Sequence, residues 1–305
     1  MDKLIIEILP HSFHVRVPYE NNRPAIFTFC KSLTEYELVW SHQHRRKIQK
    51  AKKTYAVMNV AKDTFGFLLH EYENFIQHVR IYGIRESEIK ITHITPPEGT
   101  KITYGLPGIS PREAQVSILK FMGGIDPTRV LPLPTGQGKT LAALLALSML
   151  GERFVVFAQA GHLNTWKDSI LSKTDIQKDE VMLIKGTKAL RALMSLGEAG
   201  MLHAKAILIS SSTFNNYLKE FIFGAEDLEP SYFITPDKFF ETIGASVSIT
   251  DECHEVLHQV VRRAIMTIVK RHFYLSATLD SSNPVINRIY EVIFPIVDRF
   301  KDFKN

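Results

Sequence analysis

The chain has 305 residues, a length that favours two domains, and its 45% hydrophobic and 23% charged residues are typical of a soluble globular protein. Its longest apolar run is about half of the roughly 20 residues that a membrane span needs, and an acidic residue interrupts the apolar run near the N-terminus, so neither a membrane span nor a signal peptide is expected. The net charge of +5 is modest. Two distant cysteines argue against a disulfide scaffold or a zinc cluster and favour a protein of the reducing cytoplasm. Without an apolar span, no membrane partner is expected.

Residues 1–100 predict a small α+β domain. Short, partly alternating apolar runs near prolines predict strands at Leu4–Leu9, Phe13–Val17 and Ala25–Phe29, and a further strand at Ile89–Ile94. Between them, the segment from Phe65 to Val79 begins like a strand and continues as an amphipathic helix. No catalytic constellation is visible in this domain, so its chemistry stays open.

Most of the basic excess lies in this first domain, which carries a net charge of +4 over residues 1–104. The run of residues 41–53 contains six cations and no acid, among them Arg45, Arg46, Lys50 and Lys53. Such a run can bind phosphates of DNA and release counterions, or it can be a solvated helix face or loop, and the two readings are about equally favoured.

A linker rich in proline and glycine follows the first domain. Residues 105–305 then show a different pattern, in which helices alternate with short buried strands. Short buried strands are predicted at Arg129–Leu133, Phe154–Phe157, Val181–Ile184, Ala206–Ile209, Val247–Ile249 and Phe273–Leu275. Helices are predicted at Arg112–Met122, Lys139–Leu150, Leu163–Leu171, Thr187–Leu196, Thr213–Phe221 and Glu255–Lys270. This alternation predicts an α/β domain with a parallel sheet covered on both faces, and ligands bind such sheets at the carboxyl ends of the strands.

The segment Leu133–Thr140 has the letters of a phosphate-binding loop, the Walker A motif, between a strand and a helix. Its backbone N–H groups and the helix N-terminus suit phosphate oxygens, Lys139 would reach the β- and γ-phosphates of a nucleotide, and Thr140 would bind Mg²⁺. Leu133 replaces the first glycine of the general pattern. Taken alone, the segment is also compatible with a turn that only caps a helix.

Two further strand ends carry the residues that phosphoryl transfer needs. Asp251 after one strand is placed to hold the metal, and its neighbour Glu252 is placed to polarise an attacking water. Another strand ends in Ser276-Ala277-Thr278, whose hydroxyl groups lie at the same sheet edge and could bond to His254. The three motifs in this order predict a nucleotide-hydrolysing site.

These residues resemble the superfamily 2 DEAD/DEAH-like helicases. Motif I corresponds to Pro134, Thr135, Gly136, Gln137, Gly138, Lys139 and Thr140, motif II to the DECH box at residues 251–254, and motif III to Ser276, Ala277 and Thr278. The resemblance implies a RecA-like lobe that binds ATP and Mg²⁺, with His254 and motif III coupling the nucleotide to movement on nucleic acid. It also implies that Gln115, in the Arg112-x-x-Gln115 element, reads the adenine, while Lys185, Gly186 and Thr213 contact a nucleic-acid backbone. Residues 159–166 look like a degenerate motif Ia.

The DECH spelling and the preceding small domain look most like bacteriophage UvsW-type and related recombination helicases, which would place the protein in a bacterial host. The resemblance implies an ATP-dependent helicase acting on branched, forked or single-stranded DNA. In that family a second RecA-like lobe closes over the nucleotide, and its arginine-rich motif is not found in this sequence. We therefore expect the second lobe in cis in a longer protein or on a separate chain, and weak hydrolysis without it. An RNA helicase, or a DNA-binding module with little ATPase activity, are the alternatives.

Overall fold

The computed structural model describes residues 2–41, 46–59, 63–134, 136–223, 232–280, 282 and 284–301. The described chain forms two compact units. The first contains residues 2–95 and 261–266, and the second contains residues 96–260 and 267–301. Residues 261–266 belong to the first unit, although the sequence analysis places them within the second domain.

The first unit is built on a mixed five-stranded sheet, as far as the described residues show. Its elements are β1 (Leu4–Ile8), β2 (Ser12–Arg16), α1 (Arg23–Ser32), β3 (Thr34–Ser41), β4 (Arg46–Thr54), β5 (Val57–Asn59), β6 (Thr64–Leu68), α2 (Tyr72–Ile81) and β7 (Ile89–His93). The strand order is β5-β6-β2-β1-β7, with β1 parallel to β7 and the other neighbours antiparallel. Aromatic rings from the sheet and both helices fill its core, where Phe29, Phe67 and Phe75 lie with centroids 5.2–5.4 Å apart.

The prediction of a strand at Ala25–Phe29 is wrong, because these residues form the centre of α1. Pro24 occupies the first turn of the helix, where its fixed φ suits helical geometry and its missing N–H costs nothing. The buried positions Ala25, Ile26 and Phe29 have a helical spacing of one, three and four residues. The alternation of the short apolar run is therefore accidental.

The basic run of residues 41–53 is not a helix face in its described part, because residues 46–53 belong to strand β4. This strand pairs with β3 in an antiparallel two-stranded sheet that is separate from the five-stranded one. Cross-strand register places Lys50 opposite Glu37 and Lys53 opposite Glu35. Cross-strand pairing between opposite charges stabilises a strand here. Because the partners lie on β3, this pairing cannot be recognised from the sequence of the basic run alone.

The second unit confirms the predicted α/β class. Its elements are α3 (Glu113–Met122), β8 (Thr128–Pro132), α4 (Lys139–Leu150), β9 (Phe154–Ala158), α5 (Leu163–Lys173), β10 (Val181–Ile184), α6 (Thr187–Glu198), β11 (Ala206–Ser210), α7 (Ser211–Phe223), α8 (Phe239–Thr242), β12 (Val247–Thr250), α9 (Leu257–Met266), β13 (Arg271–Ser276) and α10 (Pro284–Ile293). Six strands form an all-parallel sheet in the order β10-β11-β9-β12-β13-β8, flanked by helices.

The sheet forms because its strands are short runs of apolar residues that are buried on both faces. Every residue of β9, β11 and β12 is buried, as expected of central strands covered by helices. The helix α4 is apolar around most of its circumference and packs into the main core, and Gly151 ends it in the left-handed conformation. Because all six strands run in one direction, their carboxyl ends meet at one sheet edge.

The helix predicted at Glu255–Lys270 is shorter than expected. It begins as a 3₁₀ turn at Cys253–Val256, continues as α9 and ends at Met266. Thr267, Ile268 and Val269 follow, and a run of β-branched residues disfavours a helix because χ1 is restricted there. Within the described ranges, every helix is too short or too polar to cross a lipid bilayer.

Candidate functional site

The three motifs predicted from the sequence meet at the carboxyl ends of three neighbouring strands. In the sheet, β13 lies between β12 and β8, so the segments that follow these strands are adjacent. The Leu133 N–H donates to the Ser276 carbonyl at 3.0 Å, which joins the first motif to the third. The Ala277 N–H donates to Glu252 Oε2 at 3.2 Å, which joins the second motif to the third, and the Asp251 N–H donates to the Phe157 carbonyl of β9 on the other side of β12 at 2.9 Å.

The loop before α4 has the backbone of a phosphate cradle. Gly136 and Gly138 both have positive φ, at 84° and 80°, a conformation that residues with a Cβ rarely adopt. Pro134, Gly136 and Gln137 are exposed, whereas Lys139 is buried and Thr140 half-buried. Thr135 lies outside the described residues.

Leu133, the departure from the general motif, has a structural explanation. Its side chain is fully buried in the main core cluster, together with Leu131, Leu275 and Ala142. A glycine here would leave a void, so the leucine serves the packing of the strand end and not the ligand.

Lys139 and Glu252 form an ion pair across the site. Lys139 Nζ lies 3.0 Å from Glu252 Oε1, and the two side chains are only 10% and 22% exposed. The other carboxylate oxygen of Glu252 accepts the Ala277 N–H at 3.2 Å. Glu252 has φ 45° and ψ 51°, and it and Asp63 are the non-glycine residues with positive φ in the described chain. A left-handed glutamate is unfavourable, and such strain is typical of functional sites.

The carboxylate of Asp251 accepts two hydrogen bonds. The indole Nε1–H of Trp166 donates to Oδ2 at 2.8 Å, and the Glu252 N–H donates to Oδ1 at 3.1 Å. Burial raises the pKa of Asp251 above its ordinary value, and the Trp166 hydrogen bond opposes that rise. The Coulombic effect of Glu252 raises the pKa as well, whereas that of Lys139 lowers it.

The sequence did not identify Trp166 as a site residue. It lies on α5, which follows β9, and it is 85 residues from Asp251 in the chain. The only signal was its position at the end of the degenerate motif Ia. The side chain is almost fully buried, so it also packs in the core.

If Asp251 holds Mg²⁺, as the sequence predicts, replacing Trp166 by Phe should shift the pH dependence of Mg²⁺-dependent nucleotide binding to higher pH. Phe keeps most of the packing but removes the donor that favours the ionised carboxylate, so the pKa of Asp251 rises further and protonation competes with the metal at higher pH. Because a hydrogen bond to a charged group is among the stronger ones in proteins, the acid limb should move clearly to higher pH. Binding titrated across pH measures this. Trp40→Phe, at the exposed tryptophan, is the control, and an unmoved acid limb in Trp166→Phe would contradict this role.

His254 is linked to both neighbouring motifs. Its Nδ1 lies 2.9 Å from Ser276 Oγ and 3.4 Å from Glu252 Oε2. The Ser276 hydroxyl donates its single hydrogen to the Thr278 carbonyl at 2.6 Å, so the hydrogen between Ser276 and His254 belongs to Nδ1. The structure thus brings together all four residues predicted to couple the site, since Ala277 also contacts Glu252.

The Arg112-x-x-Gln115 element lies next to the phosphate-loop residues. The Gln115 Oε1 accepts the Arg112 N–H at 3.0 Å in a capping box at the start of α3. Its amide nitrogen lies over Gly138, where a Cβ would be only 3.2 Å away. Gln115 is 5% exposed and Arg112 is exposed, so only the arginine is accessible as placed.

Two of the predicted nucleic-acid contacts meet at the ends of the neighbouring strands β10 and β11. The Gly186 N–H donates to Thr213 Oγ1 at 2.9 Å, and Gly186 has φ 82° with open space around the position of a Cβ. Lys185 beside them is exposed. The remaining predicted contacts Arg46, Lys50 and Lys53 are exposed on β4, and Arg45 lies outside the described residues.

Comparison with solved structures identifies the fold. No protein-family model and no curated protein sequence matches the chain. Among solved structures, the UvsW helicase from bacteriophage T4 matches with a TM-score of 0.51 and 12% identity over 96% of this chain and 98% of that chain. A second T4 UvsW structure matches with a TM-score of 0.50 and 13% identity, over 95% of this chain and 55% of that one. The Hef helicase domain of Pyrococcus furiosus matches with a TM-score of 0.44 and 17% identity, over 60% of this chain and 36% of that one.

The fold is therefore that of helicase domains. The UvsW structures carry this conclusion, because they match across both units of the chain. The predicted RecA-like α/β fold with a preceding small α+β domain is confirmed. At these identities the likeness concerns architecture, and the chemistry must be argued from the site.

Proposed function

We propose that this protein binds ATP with Mg²⁺ and hydrolyses it to drive the remodelling of branched or forked DNA. The observation that carries the proposal is the ion pair between Lys139 Nζ and Glu252 Oε1 at 3.0 Å. It joins a lysine at the start of a helix after a glycine loop to an acidic pair at the end of β12, two strands away in the sheet. This is the set of groups that phosphoryl transfer from a nucleotide requires.

The residues present fit a bound Mg²⁺–nucleotide. Gly136 leaves its surroundings open, with nothing within 4 Å of the position of a Cβ, so a phosphate group can approach the backbone closely. Thr140 and Asp251 supply a hydroxyl and a carboxylate oxygen, the hard ligands that Mg²⁺ prefers. Bound Mg²⁺ would neutralise the charge that develops on the phosphates during transfer.

The side chains of this site have distinct roles in the proposal. Lys139 exchanges its partner Glu252 for a phosphate oxygen, and this exchange frees the carboxylate of Glu252 to orient water. His254 and Ser276, which connect Glu252 to the Ser-Ala-Thr segment, sense that exchange and couple it to nucleic acid. In the proposal Gln115 contacts the adenine, as the resemblance implies, and because it is 5% exposed beside Gly138 its side chain must turn outward to do so.

The nucleic acid would be bound by two groups of residues. Lys185, Gly186 and Thr213 form one group, after the ends of strands β10 and β11. The cations of β4 form the other group, which belongs to the small accessory domain of residues 1–100. In the resembled family a second RecA-like lobe closes over the nucleotide bound by the first, here residues 105–305, and we propose such a partner in cis or as a separate chain. Competition between forked DNA, single-stranded DNA and RNA separates a DNA motor from an RNA helicase.

Calorimetric titration with Mg²⁺ and a slowly hydrolysed ATP analogue tests the proposal. Lys139→Ala should weaken binding by roughly 10- to 100-fold, since one charge-assisted contact to a phosphate is lost. The control is Lys238→Ala, at an exposed lysine whose partner is Glu241, and it should bind like the native protein. Absence of nucleotide binding by the native protein would refute the proposal, and equal binding by Lys139→Ala would refute the role of that lysine.

A further inference from the structure

The two-stranded sheet of β3 and β4 presents an apolar face that the proposed mechanism does not use. Tyr36, Leu38 and Trp40 alternate along β3, so their side chains lie on one face of the strand. They are 43%, 67% and 53% exposed, which is unusual for three large apolar side chains in a row on one face. We name this set the β3 stripe.

The charges around the β3 stripe are mostly positive. The described residues of the two strands carry five cations, all on β4, against two glutamates on β3, a net charge of +3. Lys47 lies directly opposite Trp40 in the register, so its side chain shares the face of the stripe. Glu37 is opposite Lys50 and belongs to the other face. Among the paired residues, the apolar face therefore carries one cation, Lys47, while Glu37 and Lys50 lie on the other face of a two-stranded sheet whose net charge is positive.

Exposed aromatic side chains along a strand, with a lysine on the same face and a net positive charge on the two strands, suit one class of partner. Unpaired nucleobases stack on aromatic rings without regard to sequence, while the cations bind the phosphate backbone. A strand rises about 3.4 Å per residue, so Tyr36 and Trp40 lie about 14 Å apart, far enough to contact more than one base. Paired bases in a duplex are already stacked and do not offer their faces.

We propose that the β3 stripe is a stacking surface for single-stranded nucleic acid. Trp40 and Tyr36 stack on unpaired bases, Leu38 packs between them, and Lys47 binds a phosphate. The inference rests on the proposed function, which calls for nucleic acid as the substrate, and it specifies the unpaired part of that substrate as what the first unit contacts.

Intrinsic fluorescence provides a direct test, because the chain has two tryptophans and Trp166 is buried with 2% exposure. An oligothymidylate of about 20 nucleotides, longer than the site of one small domain, is added without any nucleotide cofactor. We expect it to quench Trp40 strongly, and to quench far more than a blunt duplex of the same length. Trp40→Ala should abolish the quenching and weaken binding about tenfold, as measured by anisotropy of a labelled oligonucleotide.

Matched variants separate stacking from other causes. Trp40→Phe keeps an aromatic ring and should bind within about threefold of the native protein. Phe233→Ala removes another aromatic side chain that is 52% exposed and should leave binding unchanged. Absent quenching, equal quenching by the duplex, or equal binding by Trp40→Ala would overturn the proposal. Sedimentation that shows a dimer lost only in Trp40→Ala, with oligonucleotide binding intact, would assign the stripe to a second copy of this chain.

The outcome is independent of the nucleotide site. Lys139→Ala should show the same quenching as the native protein, because no ATP is present. If quenching is observed but the native protein does not bind Mg²⁺–nucleotide, the ATPase proposal fails and the stacking surface stands. If the nucleotide binds and no oligonucleotide does, the stacking surface fails alone.

Discussion

Replacing Glu252 by Gln should lower the single-turnover rate of ATP hydrolysis by about 10²–10⁴-fold while Mg²⁺–ATP still binds. The amide is nearly the same size as the carboxylate, but it cannot accept a proton from the attacking water. Its oxygen can still accept one of the two hydrogen bonds that Glu252 accepts from Lys139 and Ala277, so the local structure should largely persist.

The measurement uses protein in excess over labelled ATP, so that slow hydrolysis is detected as formation of labelled phosphate. The control is Glu255→Gln, at an exposed carboxylate three residues along the chain, which should hydrolyse ATP at the native rate. Binding is measured separately by calorimetry. A native rate in Glu252→Gln would show that another group activates the water, and a parallel loss of binding would mean that Glu252 mainly positions Lys139.

The parallel sheet could be predicted from the sequence because its determinants are local. Central strands such as Phe154–Ala158 and Val247–Thr250 are short apolar runs, and helices with readable patterns separate them. The glycine loop before Lys139, the acidic pair and Ser276-Ala277-Thr278 follow strands in chain order. A sheet with all strands parallel then has to bring the three segments to one edge, which the structure confirms.

The rest could not be predicted because it depends on contacts between distant residues. The hydrogen bond from Trp166 to Asp251 spans 85 residues, and no spacing rule identifies it. The left-handed backbone of Glu252 is imposed by its surroundings and not by its own preference. The basic strand β4 is stable as a strand because β3 pairs with it, and a pattern read within the run alone also suits a solvated helix or a loop.

At position 133 the general motif has glycine, whereas the packing of the core requires a large apolar side chain. Leu133→Ala should destabilise the protein by about 2–5 kcal/mol, because it removes a fully buried side chain from the main core and the site can only partly collapse. Thermal unfolding should show this as a fall in Tm of about 5–15 °C. Leu38→Ala is the matched control, since Leu38 is 67% exposed and its loss should change stability by about 0.5 kcal/mol at most.

The same variant also shows whether Leu133 contributes only to folding stability or also to nucleotide binding. Because a ligand that binds the folded state raises Tm by mass action, Mg²⁺–ATP should still raise the Tm of Leu133→Ala by about the native increment. Leu133→Gly restores the general motif letter, yet it should lose more stability and gain no affinity. A gain in affinity would mean that the leucine restricts the loop. A loss below about 1 kcal/mol in Leu133→Ala would mean that neighbouring groups fill its place, and the packing explanation for Leu133 would then be wrong.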